Sequence, residues 1–186
     1  MDISRRKIVT AVMAAVATGA LTVTPVTAAG DGMGAVKLEG AWIAKGVELP
    51  LQWTFVLSPD SSGRRAALHG SIDVGTGSGA AFGADYASPI IGQLVMTGSD
   101  SGKFSTMWYG IKRLPSGPLS ATIVYIGVNK GEVKFVGQGE AISTHHLAYY
   151  LPSSDADGDG LPDDGATPVF GPITLTTTDT RLPLPQ

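Results

Sequence analysis

Leu51-Gln52-Trp53-Thr54-Phe55-Val56-Leu57 decides the fold class of this chain, because Leu51, Trp53, Phe55 and Leu57 recur at every second position. A period of two belongs to a strand with one face in a core, whereas a helix repeats about every 3.6 residues. The turn-forming run Ser58-Pro59-Asp60-Ser61-Ser62-Gly63 comes next. Arg64 to Val74 follows, with Leu68, Gly70, Ile72 and Val74 on one side. Two alternating segments around a Pro/Asp/Gly turn read as a β-hairpin.

The same period extends outward in both directions. Gly40-Ala41-Trp42 stands just before or on the first strand. Gly102 to Arg113 alternates again and sets Phe104 and Trp108 opposite Met107, Tyr109 and Ile111. Leu119 to Val128 is β-branched and aromatic and apolar on both faces, as a central buried strand requires. Asn129-Lys130-Gly131 reads as a turn into Glu132 to Leu151, a run about twice the common strand length. Gly137 and Gly139 mark where that run bends. Ile173 to Thr178 reads as a short closing strand ahead of a Pro-rich tail, and the one candidate helix is a turn or two around Gly79 to Tyr86. No repeat or second domain shows. With 25 glycines and about eight short strands, the chain is expected to be all-β, a single antiparallel barrel or sandwich with a strongly coiled sheet.

The N-terminus reads as a targeting segment. Arg5-Arg6-Lys7 is basic, Ile8 to Val23 apolar but diluted by Thr10, Thr18, Gly19 and Thr22, and Val26-Thr27-Ala28-Ala29 offers a small-residue cleavage site. The apolar run is too weak for a membrane span. Ser4-Arg5-Arg6-Lys7-Ile8-Val9 resembles a twin-arginine signal, which implies cargo folded before export. An ordinary secretory signal with two arginines fits the same residues. Either way the protein is expected to be exported, to the periplasm or the extracellular space. The segments are then 1–29 signal peptide, 30–152 barrel or sandwich core, 153–168 calcium-binding loop, and 169–186 closing strand and tail.

Removing residues 1–29 leaves enough chain for one domain that buries about 68–70% of its unfolded surface. Cysteine is absent from all 186 residues, which excludes disulfides, thiolate metal sites, cysteine nucleophiles and a lipid-anchored cysteine. The excised segment holds three of the 13 basic residues and one of the 16 acidic ones, so the remainder carries −5. That charge argues against nucleic acid and anionic membrane as partners.

One short segment carries recognisable chemistry. Asp155-Ala156-Asp157-Gly158-Asp159-Gly160-Leu161-Pro162-Asp163-Asp164 packs five carboxylates and two glycines into ten residues. Calcium takes six to eight oxygens, and a loop can supply them from positions 1, 3, 5, 7 through its carbonyl, 9 and 12, with glycine at 6. Here these are Asp155, Asp157, Asp159, the Leu161 carbonyl and Asp163, with Gly160 at the turn. The segment resembles the calcium loops of EF-hands, dockerins and thrombospondin type 3 repeats, and Gly160-Leu161-Pro162-Asp163 favours the last, extracellular type. The resemblance implies calcium as the bound ion and extends over about ten residues. Position 12 is Ala166, so the bidentate acid is missing, and Tyr149-Tyr150-Leu151-Pro152 and Thr167-Pro168-Val169-Phe170 flank the loop in place of helices.

Other candidates are weaker. Gly40-Ala41-Trp42 resembles the G-x-W of lipocalins, which implies a barrel around an apolar ligand with Trp42 at its closed end. His145 shares parity with Leu147, Tyr149 and Leu151 and so fills a core or pocket position, while His146 points the other way to the surface. His69, Ser71 and Asp73 share a strand face, but the strand rise separates His69 from Asp73 by about 13 Å, which rules out a triad. Gly75 to Gly83 is glycine-rich but lacks the Gly-Lys-Ser/Thr ending of a phosphate loop. Trp42, Trp53, Trp108, Tyr109 and His145 are the candidate pocket residues. No catalytic constellation stands out. The sequence supports two readings: a calcium-binding envelope or extracellular module, structural or binding, or a calycin-like barrel with an apolar cavity that carries a ligand or catalyses a shape-driven cyclisation or isomerisation. The partner would be a protein, a glycan or an apolar small molecule, and self-association into a homo-oligomer stays open.

Overall fold

The computed structural model describes residues 38–48, 51–72, 82–115 and 120–183. Among these, nine strands form one antiparallel sheet: β1 Gly40–Gly46, β2 Gln52–Pro59, β3 Arg65–Ile72, β4 Tyr86–Ala87, β5 Ile90–Met96, β6 Ser101–Arg113, β7 Ala121–Gly137, β8 Glu140–Tyr150 and β9 Phe170–Arg181. The described residues contain no α-helix; 3-10 conformation occurs at Pro152–Ser154 and at Phe82. Of the candidate helical turn at 79–86, residues 79–81 lie outside the described residues, Phe82 is in 3-10 conformation, and the chain is extended by Tyr86.

The sheet closes. Apart from β4, which β3 skips to pair with β5, each strand pairs with the next in the chain, and β9 returns to β1 with Trp42 opposite Arg181 and Gly46 opposite Thr177. Strand β4 pairs with the far half of β6, at Ile111 and Gly110, while β5 pairs with its near half from Met107 to Gly102. The two are thus one strand broken at Ser88-Pro89, because proline has no N–H for the ladder. The result is an eight-strand up-and-down barrel with β4 as an extra piece. Closure leaves no open edge, which is the physical difference from the sandwich that the alternation alone also allowed.

The expected hairpin is β2–β3, with Trp53 opposite Ile72 and Leu57 opposite Leu68. Two boundaries differ from the sequence reading. Asn129-Lys130-Gly131 is not a turn; β7 runs straight through it to Gly137, and the chain reverses at Gln138-Gly139. Asn129 and Gly131 face the barrel interior instead, with Lys130 exposed between them. A Cβ on Gly131 would strike the Phe104 ring and the Thr144 carbonyl, and one on Gly127 would strike the Trp108 ring. Gly110 likewise lies against the Tyr125 ring. The glycines are gaps that aromatic rings fill, and Asn129 between two of them is 7% exposed. The closing strand is longer than expected, because the threonine-rich stretch out to Arg181 continues to pair with β8 and β1.

The interior is aromatic. Trp42 is buried, stacks on Phe55 at 6.3 Å and meets Phe135 edge-on at 5.8 Å, while its Nε1–H donates to the Leu38 carbonyl at 3.2 Å. Toward the other end Trp108, Tyr125, Tyr149, Phe82 and Phe170 form a second cluster, with Tyr149 touching the other four.

Candidate functional site

The acidic segment lies in the connection between β8 and β9. Ligand oxygens of Asp155, Asp157 and Asp159 lie within 4.8 Å of one another, close enough to share one cation. Loop amides hold one oxygen of each: Gly160 N–H donates to Asp155 Oδ2 at 3.0 Å, Asp159 N–H to Asp157 Oδ1 at 3.2 Å, and Leu161 N–H to Asp159 Oδ1 at 2.8 Å. The chain can curl this tightly because Gly158 and Gly160 take φ of 75° and 90°, where other residues are strained. Asp155 Oδ1 is buried and has no hydrogen-bond partner. Neither ion pair among the described residues involves these carboxylates, so they meet as uncompensated like charges, the arrangement a hard cation relieves.

Asp163 is not part of that cluster. Its carboxylate accepts from Ala156 N–H at 3.3 and 3.2 Å and closes the loop.

The loop is tied to the barrel by Tyr109. On β6 Trp108 points inward and Tyr109 outward, and the Tyr109 hydroxyl donates to the Gly160 carbonyl at 2.9 Å. Tyr109, read from sequence as a pocket residue, is thus a strut on the outer wall. Burial first, then the negative charges of Asp155 and Asp159, hold its phenol above the usual tyrosine range. Tyr109→Phe removes one hydrogen bond and leaves the ring, so the barrel is expected to lose only about 1 kcal/mol. Urea unfolding of this variant beside the wild type measures that loss.

The remaining pocket candidates, Trp42, Trp53, Trp108 and His145, all face the interior. His145 is 4% exposed, with the Trp53 ring edge-on at 4.9 Å and the Phe104 ring at 5.0 Å. Burial, with a smaller contribution from neighbouring His146, lowers its pKa from 6.5 to about 4, so the ring is neutral at pH 7. His146 is exposed, 3.0 Å from Thr174 Oγ1. His69 and Ser71 lie on the exposed face of β3, and Asp73 lies outside the described residues.

His145 belongs to a chain of buried polar side chains that the sequence reading missed. Ser143 Oγ donates to Asp179 Oδ2, and Thr177 Oγ1 donates to Asp179 Oδ1 at 2.6 Å. Thr177 has then used its proton, so its oxygen accepts from His145 Nε2–H at 2.9 Å. The lone pair left on Nδ1 accepts from Asn129 Nδ2 at 3.1 Å. All five residues are more than nine-tenths buried. Burial raises the Asp179 pKa, against the opposing pull of the two hydroxyls. The available signal was parity: Thr177 and Asp179 follow Leu175 on the inward face of β9.

Neither a family model nor a curated protein matches this chain. Two solved structures are similar to it. One is EF1p2_mFAP2b bound to DFHBI, at 17% identity and TM-score 0.43, covering 78% of this chain and 94% of that one. The other is a redesigned beta barrel, at 10% identity and TM-score 0.42, covering 79% and 92%.

Proposed function

We propose that this protein is an exported, calycin-like carrier barrel that takes an apolar small molecule into its interior, with a calcium ion ordering the β8–β9 loop on its outer wall. The observation that carries this reading is that all three tryptophans face into a closed eight-strand barrel rather than forming a platform on its surface. Apolar, aromatic-lined interiors with a few placed polar groups are where small molecules bind. A shape-driven cyclase or isomerase would use the same interior.

A second reading has an observation in its favour. Rings lie tightly over Gly110, Gly127 and Gly131, which suits a solid core and therefore a structural or binding module of the envelope held by calcium. Native mass spectrometry of the mature protein purified from its host separates the two. A retained organic ligand supports the carrier; protein carrying only calcium supports the structural module.

Asp155, Asp157 and Asp159 would hold the ion, with the Leu161 carbonyl and Asp163, directly or through water, completing the shell. Lacking the acid at position 12, the site is expected to bind with Kd on the order of 10⁻⁴ to 10⁻³ M. A tenfold excess of calcium over Kd then stabilises the fold by about 1.4 kcal/mol. Melting temperature should rise by several degrees in millimolar calcium, less in magnesium, and not at all in Asp157→Ala. Identical curves for all of these would reduce the loop to a polar turn. Export rests on Arg5-Arg6-Lys7 and the apolar run after it, which lie outside the described residues. Mature protein that still begins at Met1 would overturn it.

A further inference from the structure

We propose that Asn129 is the hydrogen-bonding end of a ligand subsite inside the barrel, which takes the neutral hydroxyl or amide N–H of an otherwise apolar molecule. The inference deepens the carrier reading and rests on it. Asn129 is 7% exposed and its Oδ1 is buried without a partner. This orientation of the amide is dictated by the neighbours. Asp179 accepts two hydroxyl protons, Thr177 must therefore accept from His145 Nε2–H, and the bare Nδ1 can be met only by an N–H of Asn129. Flipping the amide would set Oδ1 against the Nδ1 lone pair. The chain from Ser143 to His145 thus fixes one carbonyl oxygen, inside a largely aromatic interior, with its lone pairs unused. Buried polar groups of proteins nearly always find partners, so an oriented orphan acceptor points to something absent from the chain itself.

The surroundings set the chemistry of the occupant. His145, the side chain that Asn129 bonds, is flanked by the Trp53 and Phe104 rings. Thr106, in register with Asn129 and 5% exposed, is a further buried polar residue on the adjoining strand. Since Oδ1 can only accept, the occupant must donate. The neutral imidazole and the distance of Asp179 along the chain leave no charge at this point for an ion to pair with.

Phenol and toluene, which differ by a hydroxyl in place of a methyl, test the subsite on the full mature protein. Binding is followed by NMR through the Asn129 side-chain amide and the His145 ring. Phenol is expected to shift both resonances and to bind at least tenfold more tightly than toluene, and Asn129→Leu is expected to abolish the preference. The wild-type comparison decides even where the variant fails to fold. Equal binding of the two probes would leave the carrier reading standing and overturn the subsite. Entry of neither would overturn both. A slowly exchanging water on Asn129 that phenol does not displace would assign the orphan oxygen to a structural water and overturn the subsite alone.

Discussion

Trp108→Ala is expected to destabilise the barrel by about 3–5 kcal/mol, the usual cost of truncating a buried tryptophan, and so to lower Tm by roughly 6–20 °C in a domain of this size. Trp108 is 2% exposed and meets Tyr149 edge-on at 5.7 Å, so its loss opens a hole beside the aromatic cluster. The ring also covers Gly127, where any Cβ would strike it. Gly127→Ala alone is therefore an overpacking change costing about 1–3 kcal/mol, since β6 and β8 anchor β7 on both sides. In the Trp108→Ala background the added methyl group meets open space instead. The double variant is expected to be more stable than the sum of the single losses predicts, by at least about 1 kcal/mol. Urea unfolding of the four proteins measures this directly. Strictly additive losses would show that Gly127 is not there to admit the ring.

That pairing also explains what could be read from the sequence. Alternation is local, so Leu51, Trp53, Phe55 and Leu57 announce a strand and its inward face without reference to any other segment. The acidic loop is equally local: carboxylates two residues apart on one short curl are visible before folding, and oxygens of Asp155, Asp157 and Asp159 lie within 4.8 Å of one another. Closure is not local. It depends on β1 meeting β9, with Trp42 opposite Arg181, and no neighbouring residues announce it. Asn129-Lys130-Gly131 misleads for a related reason. Asparagine and glycine favour turns through their own backbone preferences, yet here glycine makes room for a ring on an adjacent strand and asparagine bonds a histidine 16 residues away. The polar chain inside the barrel joins β7, β8 and β9 and exists only once their register is set.

Acidification is expected to destabilise the fold between about pH 6.5 and 4, and His145 is the cause. Its pKa falls from 6.5 in the unfolded chain to about 4 in the barrel, chiefly through burial and secondarily through His146. In that window the unfolded state binds a proton that the folded state refuses, so this contribution is fully present above the unfolded pKa and is lost as pH drops toward the folded one. At about 1.4 kcal/mol per unit, the whole interval is worth about 3–4 kcal/mol. Asp179 works in the opposite sense. Its raised pKa means that the barrel takes up a proton at a higher pH than the unfolded carboxylate does, so its contribution grows as pH falls. Thr177 links the two groups, and they titrate as a pair. Removing each in turn separates them. With chelator present so that no bound cation contributes, urea unfolding at about pH 7 and pH 4.5 should show wild type losing stability. His145→Gln should flatten the loss, because glutamine does not titrate. Asp179→Asn should steepen it, because the opposing carboxylate is gone. A wild-type protein equally stable at both pH values, with His145→Gln unchanged from it, would mean that the imidazole accepts its proton without leaving the folded state, and that the interior around Trp53 and Phe104 is wet rather than sealed.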